Sequence, residues 1–208
     1  MVKKISFLFI LFSMVINIHA QTAVAGEYYL RGVMETASGF LLKPDSTFEF
    51  FFSYGALDRA GSGNWVMKGS KITFNSKPKP VHDFALINCK TVKDSFITIK
   101  ITDNNTLLQR YVNAQLKFAD TTIGGMTNEN GEIKFPRREI ENLSLQFKFC
   151  PEKISLFDLD KKQNYFEFRF EPWLMEYFFN HFHLTIDGRD LKGSHPLLKE
   201  GDYRYEKR

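Results

Sequence analysis

The sequence predicts a mainly β, mainly antiparallel protein. Two observations carry that reading: apolar residues recur at every second position along most of the chain, and turn-forming residues separate the runs. A third supports it, because helical spacing is confined to one short stretch.

In chain order, Phe48, Phe50, Phe52 and Tyr54 alternate with Thr47, Glu49, Phe51 and Ser53. The same period gives Ile97, Ile99 and Ile101, then Val112, Ala114, Leu116 and Phe118. It returns in Leu143, Leu145, Phe147 and Phe149, in Phe166, Phe168 and Phe170, and in Phe182, Leu184 and Ile186. Each set is expected to form the buried side of one strand. The turns have a mechanism of their own. Lys43-Pro44-Asp45-Ser46 fixes φ with proline, and Lys68-Gly69 and Asp187-Gly188 suit two-residue hairpins. Asn128-Glu129-Asn130-Gly131 suits a type I turn closed by glycine. Over residues 172–180, proline followed by the i,i+4 pairs Trp173 with Tyr177 and Leu174 with Phe178 predicts one short helix. No long linker divides the chain, and the junction is expected between Cys89 and Asp94, giving domains 21–92 and 93–208.

Residues 1–20 are expected to be a signal peptide. Met1-Val2-Lys3-Lys4 is a basic start, the run from Ile5 to Ile18 is apolar, and Ala20 before Gln21 offers a small residue at the cut. The run is shorter than the roughly 20 residues a membrane-spanning helix needs, so no transmembrane segment is expected after processing. The destination would be the periplasm, the cell surface or the exterior. Cleavage removes Lys3 and Lys4 and no acid, so the formal charge falls from +4 to +2. A nearly neutral chain whose basic clusters, such as Arg137-Arg138, are short and flanked by acids gives no case for nucleic acid. Two cysteines, Cys89 and Cys150, would enter an oxidising compartment together, which permits one disulfide and also permits two thiols.

The first half carries Gly39-Phe40-Leu41-Leu42-Lys43-Pro44-Asp45-Ser46-Thr47-Phe48, then Gly63-Asn64-Trp65, then Gly69-Ser70-Lys71-Ile72-Thr73-Phe74. It resembles the meander of lipocalin-like domains of exported bacterial proteins, with Ser46 where that pattern has glycine. A closed eight-stranded barrel of that type needs more strands than the roughly six visible in residues 24–89. The second half carries Phe96-Ile97-Thr98-Ile99-Lys100-Ile101-Thr102-Asp103, Val112-Asn113-Ala114-Gln115-Leu116 and Thr127-Asn128-Glu129-Asn130-Gly131-Glu132-Ile133. It resembles the carboxypeptidase-regulatory-like, or transthyretin-like, β-sandwich, and that resemblance implies a structural or interaction module.

No catalytic motif accompanies either half: there is no G-x-S-x-G elbow, no H-E-x-x-H and no cysteine in a protease context. His181 and His183 lie two apart in an expected strand and would share a face, the start of a metal site, with His195 or Glu176 as conceivable further ligands. Acidic pairs such as Asp158 with Asp160 read as solvated strand faces. The unusual feature is the 22 phenylalanines. Phe51, Tyr165, Tyr177 and Phe179 fall opposite the main apolar sets and could line a groove for an apolar or sugar-like ligand, or cover a contact between the halves. The expectation is therefore a non-catalytic exported binding or interaction protein without a cofactor, its partner an unidentified protein or a small hydrophobic ligand. A carrier for such a ligand and a metal-dependent hydrolase are the alternatives.

Overall fold

A computed structural model describes residues 23–208, so the leader and the cut between Ala20 and Gln21 lie outside the described residues. Five strands come first: β1 (Gly26–Arg31), β2 (Thr36–Leu42), β3 (Thr47–Tyr54), β4 (Leu57–Lys68) and β5 (Lys71–Asn75). Eight follow: β6 (Phe84–Lys90), β7 (Phe96–Ile101), β8 (Val112–Lys117), β9 (Thr122–Met126), β10 (Glu132–Pro136), β11 (Asn142–Phe147), β12 (Ser155–Phe157) and β13 (Tyr165–Phe170). Three more end the chain: β14 (Phe182–Asp187), β15 (Asp190–Gly193) and β16 (Tyr203–Lys207). The mainly β class predicted by the alternation is the class of the structure. Among the described residues, no helix is long and apolar enough to cross a membrane.

The first five strands and the last three form one closed barrel in the order β1-β16-β15-β14-β5-β4-β3-β2, antiparallel throughout. Two compact units result. One is the described chain up to Lys79 together with Glu176–Arg208, and the other is Pro80–Met175. The expected division at residues 92 and 93 is therefore corrected. β5 finds its partner in β14, about a hundred residues on, and the strands that the first half lacked for closure come from the C-terminal end. Two-residue alternation identifies a strand but not the strand it pairs with.

Inside the barrel, Phe48, Phe50 and Phe52 point inward at the parity the sequence predicts, while Tyr54 at the end of β3 is 46% exposed; Phe40 and Phe74 join them, and Trp65 is fully buried with its indole N–H donating to the Lys43 carbonyl at 3.1 Å. The turn before β3 places Ser46 at φ 68°, the left-handed region that glycine adopts without strain. Asp45 stabilises it by accepting from the Thr47 backbone N–H at 2.9 Å, and the Thr47 hydroxyl, followed by that backbone bond, holds the carboxyl below its ordinary range.

The inserted unit is built from two four-stranded sheets, β10-β7-β13-β6 and β12-β11-β8-β9, around one core that includes Ile97, Ile99, Ile101, Leu143, Leu145 and Phe168. Its strands pair antiparallel except β7 with β13. β6 is an edge strand, and the shift in register opposite Glu167 and Phe168 leaves Ile87 as a bulge that blunts the edge against further pairing.

The helix expected over 172–180 does not form. Residues 172–175 are turns, closed by Leu174 N–H donating to Glu171 at 3.0 Å, and the chain then runs extended. The Tyr177 N–H donates to the Ala60 carbonyl at 2.7 Å and the Phe179 N–H to the Ser76 hydroxyl at 3.0 Å, which takes up the amides a helix would need. The disulfide permitted by the cysteine count is also absent: Cys89 is exposed on β6 and Cys150 is buried in the core of the insert. Strand parity continued from Leu143, Leu145 and Phe147 would turn Cys150 outward. β11 ends at Phe147, however, and a turn closed by the Cys150 N–H and the Phe147 carbonyl at 2.8 Å rotates the thiol inward.

Candidate functional site

Of the four ring residues predicted to line a groove, Tyr177 and Phe179 are neighbours in the barrel unit and Phe51 is on its outer surface. Tyr165 is on β13 of the insert, half-buried, with the Lys90 ammonium 4.7 Å from its ring. The other three belong to the barrel unit, and each does something different there. Phe179 is buried in the barrel interior, its ring centroid 5.1 Å from those of Phe48 and Phe50 and 5.5 Å from that of Phe182. Tyr177 lies beside it, 4.9 Å away. Gly61 is required by this arrangement, since a Cβ there would sit 2.8 Å from the Phe179 ring and 2.9 Å from the Tyr177 carbonyl. The segment thus packs its own rings into the interior of an eight-stranded barrel, which is about wide enough for side chains to fill.

The histidines singled out as candidate metal ligands are placed apart. His181 precedes β14 and has φ 51°, so the strand parity that paired it with His183 does not reach it. His183 is exposed, with Nδ1 3.3 Å from the Thr73 hydroxyl. His195 is buried elsewhere in the barrel, and among the described residues no three His, Cys, Asp or Glu side chains are placed to hold a metal ion.

His195 instead faces Ser38, at 3.0 Å from Nε2 to Oγ, an arrangement that resembles a hydrolytic dyad. Its hydrogen bonds run in the wrong direction for one. Leu197 and Leu198 donate their backbone N–H groups to Nδ1 at 3.0 and 3.2 Å, so the ring proton sits on Nε2 and is donated to the serine. The Ser38 hydroxyl in turn donates to the Phe51 carbonyl at 2.8 Å. A histidine that donates to a serine cannot take that serine's proton, and the pair is a structural tie between β2 and the segment before β16.

Burial pushes the His195 imidazole down to about 4 from its ordinary 6.5, so the folded barrel favours the neutral ring. Stability from this group is complete above the unfolded value and is lost as pH falls from 6.5 toward 4. The loss is expected to reach roughly 1–3 kcal/mol. Urea midpoints measured at neutral pH and near the lower value check it. A His195→Gln chain whose midpoint shifts as much as the parent's between those pH values would show that the ring is not responsible.

A second buried polar group lies in the insert, where Lys153 and Asp83 pair at 3.3 Å with side chains 5% and 1% exposed. Lys153 also donates to the Trp173 carbonyl at 3.0 Å, and the Asp83 N–H donates to the Ser155 hydroxyl at 2.8 Å. These contacts tie the start of β6, the beginning of β12 and the turn at 171–175 into one closed set.

The open surface of the barrel unit offers a different geometry. On the outside, Tyr29, Gly39 and Phe51 lie side by side on β1, β2 and β3, and Glu27, Leu41 and Glu49 form the next row. The Tyr29 and Phe51 rings meet edge to face at 5.9 Å over Gly39, where a Cβ would come within 2.9 Å of the Phe51 ring. These side chains border a depression of about 210 Å3. A second groove of about 560 Å3 shares Glu49 and continues past Thr47, Ser62 and Asn64. Of the sequence candidates only Phe51 is in this place. Tyr29 and Asn64 were missed because alternation marks their faces as outward without distinguishing a groove from ordinary surface. Ser38, Asp83 and Lys153 were missed because nothing in their local sequence announces burial. The chain matches no family model, no curated protein and no solved structure.

Proposed function

We propose that this chain is a non-catalytic exported protein that binds its partner or ligand through its surface rather than inside its barrel. The observation that carries this reading is the filling of the barrel interior by the ring cluster around Phe179, which leaves the grooves on the outside as places for a ligand. The direction of the Ser38–His195 hydrogen bond argues against acyl transfer, and the separation of His181 from the strand that carries His183 argues against the metal-dependent hydrolase. Export is supported by the basic start, apolar run and small residue of the first 20 positions.

Native mass spectrometry of the purified protein tests the reading. The expected result is the mass of the bare polypeptide. A co-purified lipid-sized adduct would replace it with the carrier, and stoichiometric zinc would replace it with the hydrolase.

A further inference from the structure

We propose that the outer face of β3 and β4 is a saccharide-binding surface, with the exposed Phe51 ring as the stacking platform and Glu49, Ser62, Thr47 and Asn64 as a hydrogen-bonding track. The proposal rests on the reading of the chain as a surface-binding protein and names the chemical class of its ligand.

Register places these groups on one face. Across β3 and β4, Thr47 stands opposite Asn64, Glu49 opposite Ser62 and Phe51 opposite Ala60, all at the parity that points away from the buried Phe48 and Phe50. Phe51 keeps 40% of its surface exposed even though part of its ring covers Gly39. An aromatic side chain left open beside a groove is a surface that an apolar ligand face can cover. The groove of about 560 Å3 is of small-molecule size, and the depression of about 210 Å3 beside the rings is smaller than such sites usually are. One ring unit at the platform with its neighbours along the track fits that pair of volumes.

Charge selects among ligands. Glu49 is paired with Lys43 at 2.5 Å, Glu27 accepts from the Tyr29 hydroxyl at 3.0 Å, and the Arg208 guanidinium lies 4.1 Å from the Tyr29 ring. The acids and bases at the platform balance one another, so an ionic ligand gains little there. A polynucleotide would find Lys43 and Arg208 offset by Glu49 and Glu27, with no concentrated positive face for its phosphates. A lipid chain would lie along hydroxyl and amide groups it cannot satisfy. A neutral ligand with apolar C–H faces and hydroxyl edges matches both parts, stacking on the Phe51 ring and exchanging hydrogen bonds with carboxylate, amide and hydroxyl groups.

The test is a printed glycan array probed with the full chain, followed by calorimetric titration with the best-retained oligosaccharide. Retention of one glycan class is expected, with affinity falling about tenfold or more in Phe51→Ala and about threefold or more in Asn64→Ala. No retained glycan, or affinity unchanged in both variants, overturns the proposal. Should Phe51→Ala fail to fold because Gly39 loses its cover, Asn64→Ala and amide shift mapping decide. Shifts concentrated on residues 47–51 and 62–64 support the site, and shifts centred elsewhere overturn it. An empty array accompanied by a bare native mass removes the saccharide and leaves the surface-binding reading intact, whereas a lipid or zinc adduct removes that reading itself.

Discussion

Replacing Phe179 with alanine is expected to destabilise the barrel by about 3–5 kcal/mol, the range for truncating a buried phenylalanine. The ring sits among Phe48, Phe50, Phe74 and Phe182, with centroid separations from 5.1 to 6.2 Å, and its loss would leave a void lined by aromatic edges that nothing nearby can fill. Gly61 has no side chain to move in, and Trp65 is fixed by its bond to the Lys43 carbonyl. A void of that chemistry stays dry and takes up small apolar molecules. Phe179→Ala is therefore expected to gain thermal stability in the presence of benzene, while the parent does not respond. Denaturant unfolding of the two proteins measures the loss, and thermal melts with and without benzene measure the gain. An alanine variant as stable as the parent would mean that the ring does not fill the barrel, and the case against an internal ligand would weaken with it.

The second large effect is expected at Lys153. Lys153→Ala leaves the Asp83 carboxylate buried without the ammonium that faces it, a loss of about 3–5 kcal/mol. Removing both charges together should restore much of that loss, because a buried ion pair repays little beyond the desolvation of its members. The double variant Lys153→Met with Asp83→Leu is thus expected to be more stable than Lys153→Ala alone, measured by urea unfolding of the full chain. If the double variant is the less stable of the two, the pair contributes more than its own desolvation, and the bonds to Trp173 and Ser155 become the reason to examine next.

What the sequence disclosed, and what it hid, follows from the range of each interaction. Alternation is a property of consecutive residues, so Phe48 to Phe52, Ile97 to Ile101 and Phe182 to Ile186 are recognised as strands without knowledge of the rest. Strand partners are not local. Residues 182–186 read equally well as the last strand of a second module or as the sixth of a barrel, and only the pairing of Leu184 with Ile72 decides between them. Parity arguments also end where the strand ends. They misplaced Cys150, three residues past β11, and His181, one residue before β14. The helix expected near Trp173 had real i,i+4 spacing, yet the backbone bonds of Tyr177 and Phe179 to Ala60 and Ser76 override so short a preference. Of the outer groove, Phe51 was legible as an aromatic residue at the wrong parity for the core. Its neighbours Glu49, Ser62 and Asn64 look like any solvated strand face until the sheet is assembled.

The position of the insert also orders events in time. As the chain emerges, β1 to β5 form an open meander whose two end strands each lack a neighbour on one side, and they stay so until about a hundred further residues have followed. Pro80–Met175, whose pairings are all internal, has every strand it needs before that point. The guest can therefore mature while the host waits, and the host's last step is a ring closure across a long loop, which is intrinsically slow and leaves bare strand edges in the interval. A chain built this way has reason to complete its insert early, since a collapsed guest brings the distant ends of the host within reach of one another.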